Sequence, residues 1–286
     1  MSARLVQQTY GKHRVRVSKI KRPRVAPPGE EQHELVEVTV DIELQGSFET
    51  AYTDGDNSLV IATDTCRNTI YVLAKDDPLD SIESFGSTIA NHFLRQYAHV
   101  SRVTVSLSER KWHRLLDCPH GFLGTDTETP TAVVTATRDI DFAMVVRSGL
   151  DNLTIAKTTQ SGFSSFHRDE YRTLPDTEDR ILATSMKATW AYNTKAMDFT
   201  NSRNRVRSAL LSTFIDHYSH SVQETLYKMA EAALAAVESI STITLTMPNK
   251  HHIAFNLAPF NRANDNEIFM VTDEPFGFIS ATVDRA

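Results

Sequence analysis

Leu35-Val36-Glu37-Val38-Thr39-Val40-Asp41-Ile42-Glu43-Leu44 alternates apolar and polar residues from Val36 onward. This period of two buries one face of a β-strand and leaves the other in water. A strand half-buried in this way belongs to an antiparallel sheet, because strands of parallel sheets are covered on both faces and read as continuous apolar runs. Upstream, Pro27-Pro28-Gly29 marks a turn, and before it Val15 and Val17 alternate with Arg14 and Arg16, so the two segments form a long hairpin. Downstream, Thr63-Asp64-Thr65 stand as capping residues ahead of a short helix over 66–75. Pro78 to Glu83 opens a second helix whose apolar stripe is Ile82, Phe85, Ile89, Ala90 and Phe93. Alternating runs at about 100–113 and 131–142 follow, separated by a polar loop containing Cys118-Pro119-His120-Gly121.

The second half repeats the first. Strands are expected near 142–158 and 180–192, helices at about 203–219 and 221–238, then strands at 240–248, 252–258 and 267–272. The fold class is therefore α+β in two tandem domains, 1–141 and 142–286, each an antiparallel sheet with helices on one face. The open sheet faces call for cover, which suggests an oligomer.

Composition narrows the chemistry. The chain has 286 residues, 30 Lys plus Arg against 36 Asp plus Glu, and 41% hydrophobic residues, an ordinary globular balance that excludes disordered and collagen-like chains. No apolar stretch approaches the 18 or so residues of a membrane span, and no signal-peptide region opens the chain. Cys66 and Cys118 form no CxxC pair, against a disulfide framework or zinc ribbon. The ten glycines are scattered without GxGxxG or GxxxxGK[ST], which removes the dinucleotide and P-loop signatures. Neither His217 with His220 nor His251 with His252 comes with Cys or carboxylate partners at ligand spacing, so no metal is expected. Ser108-Glu109-Arg110-Lys111 matches SxxK by chance, at the end of a strand and without its partner motifs.

Four places carry chemistry. Ser221 with Glu224 three positions later is a capping box, so Val222 and Gln223 occupy a first helical turn whose amides lack intrahelical acceptors. Such a start accepts an anionic or carbonyl-rich ligand, or is simply a capped helix. Arg180, at the start of a strand, either clamps a planar ligand edge with its fork or pairs on the surface with Glu178 or Asp179. Lys12, after Tyr10-Gly11, and Asn249-Lys250-His251, after Pro248, supply proton carriers that work only if the fold brings them together. Finally, Lys12 to Arg24 is a basic run without an acid, read either as the solvated face of the first strand or as a phosphate-binding stripe.

Taken together, Tyr10-Gly11-Lys12, Ala62-Thr63-Asp64-Thr65 with Asn68-Thr69-Ile70-Tyr71, Phe166 to Tyr171 leading to Thr173-Leu174, Asp179 to Leu182, Ser221-Val222-Gln223 and Pro248 to His251 resemble urate oxidase (uricase), in order and at family spacing from Tyr10 to about Thr282. The resemblance implies a tandem T-fold, two four-stranded antiparallel sheets with helices on their outer faces. It further implies a barrel-like tunnel closed by two chains, a homotetramer, and active sites between subunits. Phe163 would stack on urate, Arg180 and Gln223 would grip its edges, and the Val222 amide would bond a carbonyl oxygen. Thr63 and Asp64 would come from the neighbouring chain. Asn249, with Thr63, would hold dioxygen or water, while Lys12, Thr63 and His251 would relay protons, Lys12 as a base of lowered pKa.

The implied reaction takes urate, dioxygen and water to 5-hydroxyisourate and hydrogen peroxide with no cofactor. Two departures stand out: Arg172 replaces the usual threonine, and Ser165 a common glycine, near Phe163. The ending Asp284-Arg285-Ala286 lacks Ser-Lys-Leu, which favours a cytoplasmic enzyme. The rivals are a pterin-handling T-fold enzyme with zinc and a nucleic-acid-binding protein using residues 12–24.

Overall fold

The computed structural model describes residues 3–23, 32–138, 143–194 and 197–285. Arg24, the Pro27-Pro28-Gly29 turn and the expected domain boundary between 141 and 142 lie outside these residues. The chain divides into two compact units, Met1–Gly149 and Leu150–Ala286.

In the first unit β1 (Tyr10–Lys21) and β2 (Glu34–Gly46) form the hairpin, followed by α1 (Glu49–Thr53), α2 (Thr63–Asp76), α3 (Ile82–Gln96), β3 (Val100–Arg114), β4 (Phe122–Thr125), β5 (Thr129–Thr137) and the start of β6 (Met144–Lys157). The sheet runs β1-β2-β3-β5, and the pairs β1 with β2, β2 with β3 and β3 with β5 are antiparallel. One cross-strand row shows how the alternation builds a core: Val15 opposes Val40, Val40 opposes Leu107, and Leu107 opposes Ala132. All four are buried, together with Phe85, Ile89, Ala90 and Phe93 of α3. Each phenyl withdrawn from water here contributes about 2 kcal/mol or more. Glu83 breaks the apolar pattern: it is fully buried and accepts a hydrogen bond from the Ser148 hydroxyl.

Part of the basic run of β1 is engaged within the fold. Lys19 donates to the carbonyls of Ala74, Lys75 and Asp77, closing the C-terminal end of α2, where orphan carbonyls and the helix dipole favour a cation. Arg16 pairs with Glu37, and Lys21 with Asp80. α2 itself begins at Thr63, not after Thr65 as the capping pattern suggests; its N-cap is Ala62, which makes no side-chain cap. Asp64 turns along the helix instead, accepting from Asn68 at 2.9 Å and pairing with Arg67 at 2.6 Å. The polar loop around Cys118 also holds the short strand β4, paired to β3.

The second unit contains the rest of β6, β7 (Leu182–Tyr192), α4 (Phe199–Ile215), α5 (Val222–Ala236), β8 (Ile240–Thr246), β9 (Asn249–Ala254), β10 (Phe269–Gly277) and β11 (Ser280–Asp284). Its main sheet runs β6-β7-β8-β11, with β7 to β8 and β8 to β11 antiparallel. Met186 and Trp190 of β7 meet Val206, Leu210 and Phe214 of α4 and Leu226, Met229 and Ala233 of α5 in one buried cluster. β9 joins this sheet only at Ala183 with Lys250, and otherwise pairs with β10. Both units are thus α+β, a four-stranded sheet carrying helices. Among the described residues no helix is long and apolar enough to cross a membrane.

Candidate active site

A cavity of about 410 Å³ opens in the second unit, and Phe163, Arg180, Asn249 and His251 all line it. Two loop segments build its wall. Phe163 donates to the Thr177 carbonyl at 2.7 Å and accepts from the Thr177 amide at 3.0 Å, while the Arg180 amide donates to the Ser161 carbonyl at 2.8 Å. Arg180 therefore continues this loop ladder. It is not the first residue of a strand, as the sequence pattern suggests: β7 starts two residues later, at Leu182, where burial begins.

The Arg180 guanidinium carbon lies 5.2 Å from the centre of the Phe163 ring. Its Nε is buried with no hydrogen-bond partner. The surface ion pair open to it from sequence is not formed: Asp179 accepts from Thr159 at 2.9 Å, and Glu178 is engaged by the Tyr218 hydroxyl. Burial lowers the pKa of this guanidinium, opposed by the phenol of Tyr218. A buried polar atom without a partner is costly, so an unused donor beside an aromatic face inside a cavity marks a place where a ligand supplies the acceptor.

Asn249 and His251 reach the cavity from β9, two residues apart and so on one face of the strand. Gln223 and Val222 stand outside its lining, Gln223 exposed and the Val222 side chain buried at the start of α5. Ser219 ties this helix start to the wall. The Gly162 amide donates to its carbonyl at 2.8 Å and its own amide donates to Gln160 at 2.9 Å. Its hydroxyl donates to Ser221 at 3.0 Å and accepts from Thr225 at 2.6 Å. Tyr218 adds a bond from its hydroxyl to the Glu178 carbonyl at 2.6 Å. A side chain on Gly162 would put its Cβ 2.3 Å from that hydroxyl, so only glycine fits there. Sequence reasoning missed Tyr218 and Ser219; the only signal was their place directly before the capping box.

The capping box itself is half as expected. The Ser221 hydroxyl accepts the Glu224 amide at 3.1 Å, but Glu224 reaches back to the His220 amide at 2.9 Å, one residue further than the motif prescribes. Hydrogen bonds from Lys228 and from His220 hold the Glu224 carboxyl down at about 2. His217 contacts the Thr213 carbonyl and Thr225 hydroxyl, and His220 contacts Glu224, so these two histidines serve different partners. Among the described residues no group of three His, Cys, Asp or Glu side chains could hold a metal ion.

Lys12, Thr63 and Asp64 belong to the first unit. β1 carries a bulge there: His13 and Arg14 together face the single residue Asp41, Arg14 adopts a left-handed φ of 61°, and its amide donates to Asp41 at 2.6 Å. The extra residue reverses the strand's alternation. Downstream Val15 and Val17 point into the core; upstream Tyr10 packs against that same core, and Lys12 shares its face. The Tyr10 hydroxyl accepts the Ile61 amide at 2.8 Å, just ahead of α2. Burial raises the Cys66 thiol of α2 to about 11, opposed by its backbone hydrogen bond and by the charge of Lys12. Gly11 lies so close to β2 that a Cβ would fall 1.8 Å from the Ile42 carbonyl oxygen. Thr63 and Asp64 are exposed at the helix start.

Comparison with known proteins gives a concordant result. The family model described as Uricase matches residues 8–135 and 146–280. The chain is similar to the uricase of Dictyostelium discoideum, 38% identical over 290 residues, covering 99% of this chain and 98% of the relative. It is similar to that of Arthrobacter globiformis, 37% identical over 281 residues, covering 98% and 90%. The crystal structure of the Arthrobacter globiformis uricase superposes with a TM-score of 0.94 at 36% identity, covering 100% of this chain and 96% of that one.

Proposed function

The chain belongs to the uricase family and is a urate oxidase with the tandem T-fold of that family, and we propose that urate binds in the cavity of the second unit and is oxidised there without a cofactor. The observation that carries this placement is the pairing of the buried, unpartnered Arg180 Nε with the Phe163 ring beside it. Urate is flat and carries carbonyl and ring-nitrogen acceptors along its edges. Phe163 offers a face for stacking, and Arg180 a planar fork for one edge. Gln223 takes the other edge and the Val222 amide a carbonyl oxygen, the helix start favouring negative charge.

Lys12, with Thr63 and His251, moves the protons. Removing a second proton from bound urate makes an electron-rich dianion that can pass two electrons to dioxygen. Peroxide leaves with two protons, and water adds to the oxidised ring, giving 5-hydroxyisourate and hydrogen peroxide. Asn249 and Thr63 hold dioxygen, then water, above the ring. In this reading Thr63 and Asp64 reach the purine from a neighbouring copy, in a homotetramer whose paired chains close a tunnel. The two sheets are assigned to domains 1–141 and 142–286, and the enzyme works in the cytoplasm. No observation favours nucleic-acid binding by the basic run, of which Arg16, Lys19 and Lys21 are engaged within the fold.

The test is direct: incubate metal-stripped, flavin-free protein with urate in air and follow the loss of urate absorbance together with peroxide. Loss of urate with one peroxide per urate is expected. Activity that disappears with a chelator and returns with metal or flavin overturns the cofactor-free reading.

A further inference from the structure

The aromatic wall of the cavity does not end at Phe163. The Phe166 ring lies parallel to it, with centroids 4.7 Å apart and an interplanar angle of 9°. The Arg172 guanidinium carbon in turn sits 4.8 Å from the centre of Phe166. Arg172 is held in place from two directions, donating to Asp176 at 2.9 Å and to the Leu174 carbonyl at 3.0 Å, and Leu174 itself lines the cavity. Asp176 also accepts from Arg168 at 2.9 Å. Ser165 makes the stack reachable: its φ of 57° is left-handed, which folds the chain back so that the rings at 163 and 166 meet. That conformation costs an L residue energy, so the stack is kept against a local strain.

We propose that Phe166 and Arg172 are positioning residues of the purine subsite: the cation seats Phe166, Phe166 seats Phe163, and the preorganised ring raises the affinity for a flat ligand. The inference rests on the urate-binding reading. Parallel aromatic pairs and cation–π contacts add to burial, and a ring fixed before binding gives up less entropy when the ligand arrives. Arg172 stands where the family resemblance leads one to expect threonine, which has neither a cation nor the reach to cover Phe166. The expected consequence is confined to binding, because neither residue contacts the reacting atoms.

The full chain is compared with Phe166→Leu, Phe166→Tyr, Arg172→Thr and Arg172→Lys by steady-state urate oxidation and by competitive inhibition with xanthine as a flat purine probe. Phe166→Leu should raise the KM for urate and the inhibition constant of xanthine together by about 5-fold, with kcat within about twofold, and Phe166→Tyr should restore both. Arg172→Thr should move the same two constants by about 2- to 3-fold and Arg172→Lys by less. An active enzyme whose KM and xanthine inhibition are unmoved in both Phe166→Leu and Arg172→Thr overturns the inference alone, as does a loss that falls on kcat. An unaltered chain that oxidises no urate ends the functional reading and the inference with it.

Discussion

The Arg180 guanidinium lies 5.2 Å from the Phe163 ring centre while its Nε stays buried without a partner. Neighbouring carboxylates that could have satisfied it are turned to Thr159 and Tyr218. A fork left unpaired in this way loses little on binding and gains hydrogen bonds of the charged kind. Arg180→Lys keeps the charge but not the fork, and should lower kcat/KM for urate by about 2 kcal/mol, roughly 30-fold. Steady-state kinetics check this; a variant within twofold of the unaltered enzyme would show that the guanidinium does not grip the substrate.

Lys12→Met tests the proton relay. Loss of the base should reduce kcat by about 10²-fold or more, while inhibition by xanthine stays near that of the unaltered enzyme, since Lys12 takes no part in stacking or edge recognition. Unchanged turnover removes Lys12 from the relay.

Gly162→Ala tests the junction behind Phe163. The added Cβ would fall 2.3 Å from the Tyr218 hydroxyl and 2.9 Å from the Thr177 carbonyl oxygen. Overpacking of this kind costs about 1–3 kcal/mol, so the melting temperature should fall and the KM for urate rise. Adding Tyr218→Phe removes one of the two clashing atoms and should recover part of the lost melting temperature. Full stability in the single variant would contradict the close packing described.

Glu224 gives a pH dependence with a definite sign. Its carboxyl is depressed from 4.5 to about 2, first by Lys228 and then by the His220 amide. A depressed acid stabilises the folded state fully above its unfolded value, near 4.5, and loses that contribution as pH falls toward about 2. The unaltered chain should therefore melt above Glu224→Gln at neutral pH, with the gap closing through this acid window. Because the Glu224 side chain is partly exposed, the gap should also shrink in high salt. A gap independent of pH would assign the difference to side-chain shape and not to charge.

The sheet and helix order was legible because its signals are periodic and local: Val36 to Leu44 and the Ile82 to Phe93 stripe both bury the faces their spacing predicts. Helix starts were legible less evenly. Ser221 caps α5 as its motif says, whereas Thr63 is inside α2 because Asp64 bonds along the helix and not back to its start. The cavity wall was partly visible through Phe163, Arg180, Asn249 and His251. The ties that hold it were not, since Ser219 to Gly162 and Tyr218 to Glu178 join positions 40 or more residues apart and are largely made to backbone atoms, which leave no mark on composition. The face of Lys12 was hidden for a different reason. Counting back from Val15 in twos puts it in water with Arg14 and Arg16, and only the bulge corrects the count.

That bulge gives the first strand one residue of slack in its length. Excising His13, an exposed residue paired only loosely with Glu43, would let the hairpin zip without interruption. The chain would keep its hydrophobic inventory, its charge balance within the histidine and every residue named in the relay. Tyr10 and Lys12 would still lie opposite Leu44 and Ile42, on the face they already occupy, because the residue removed is the extra one. A single missing codon at this point would thus be milder than one elsewhere in the strand, where the same loss turns every side chain beyond it to the other face.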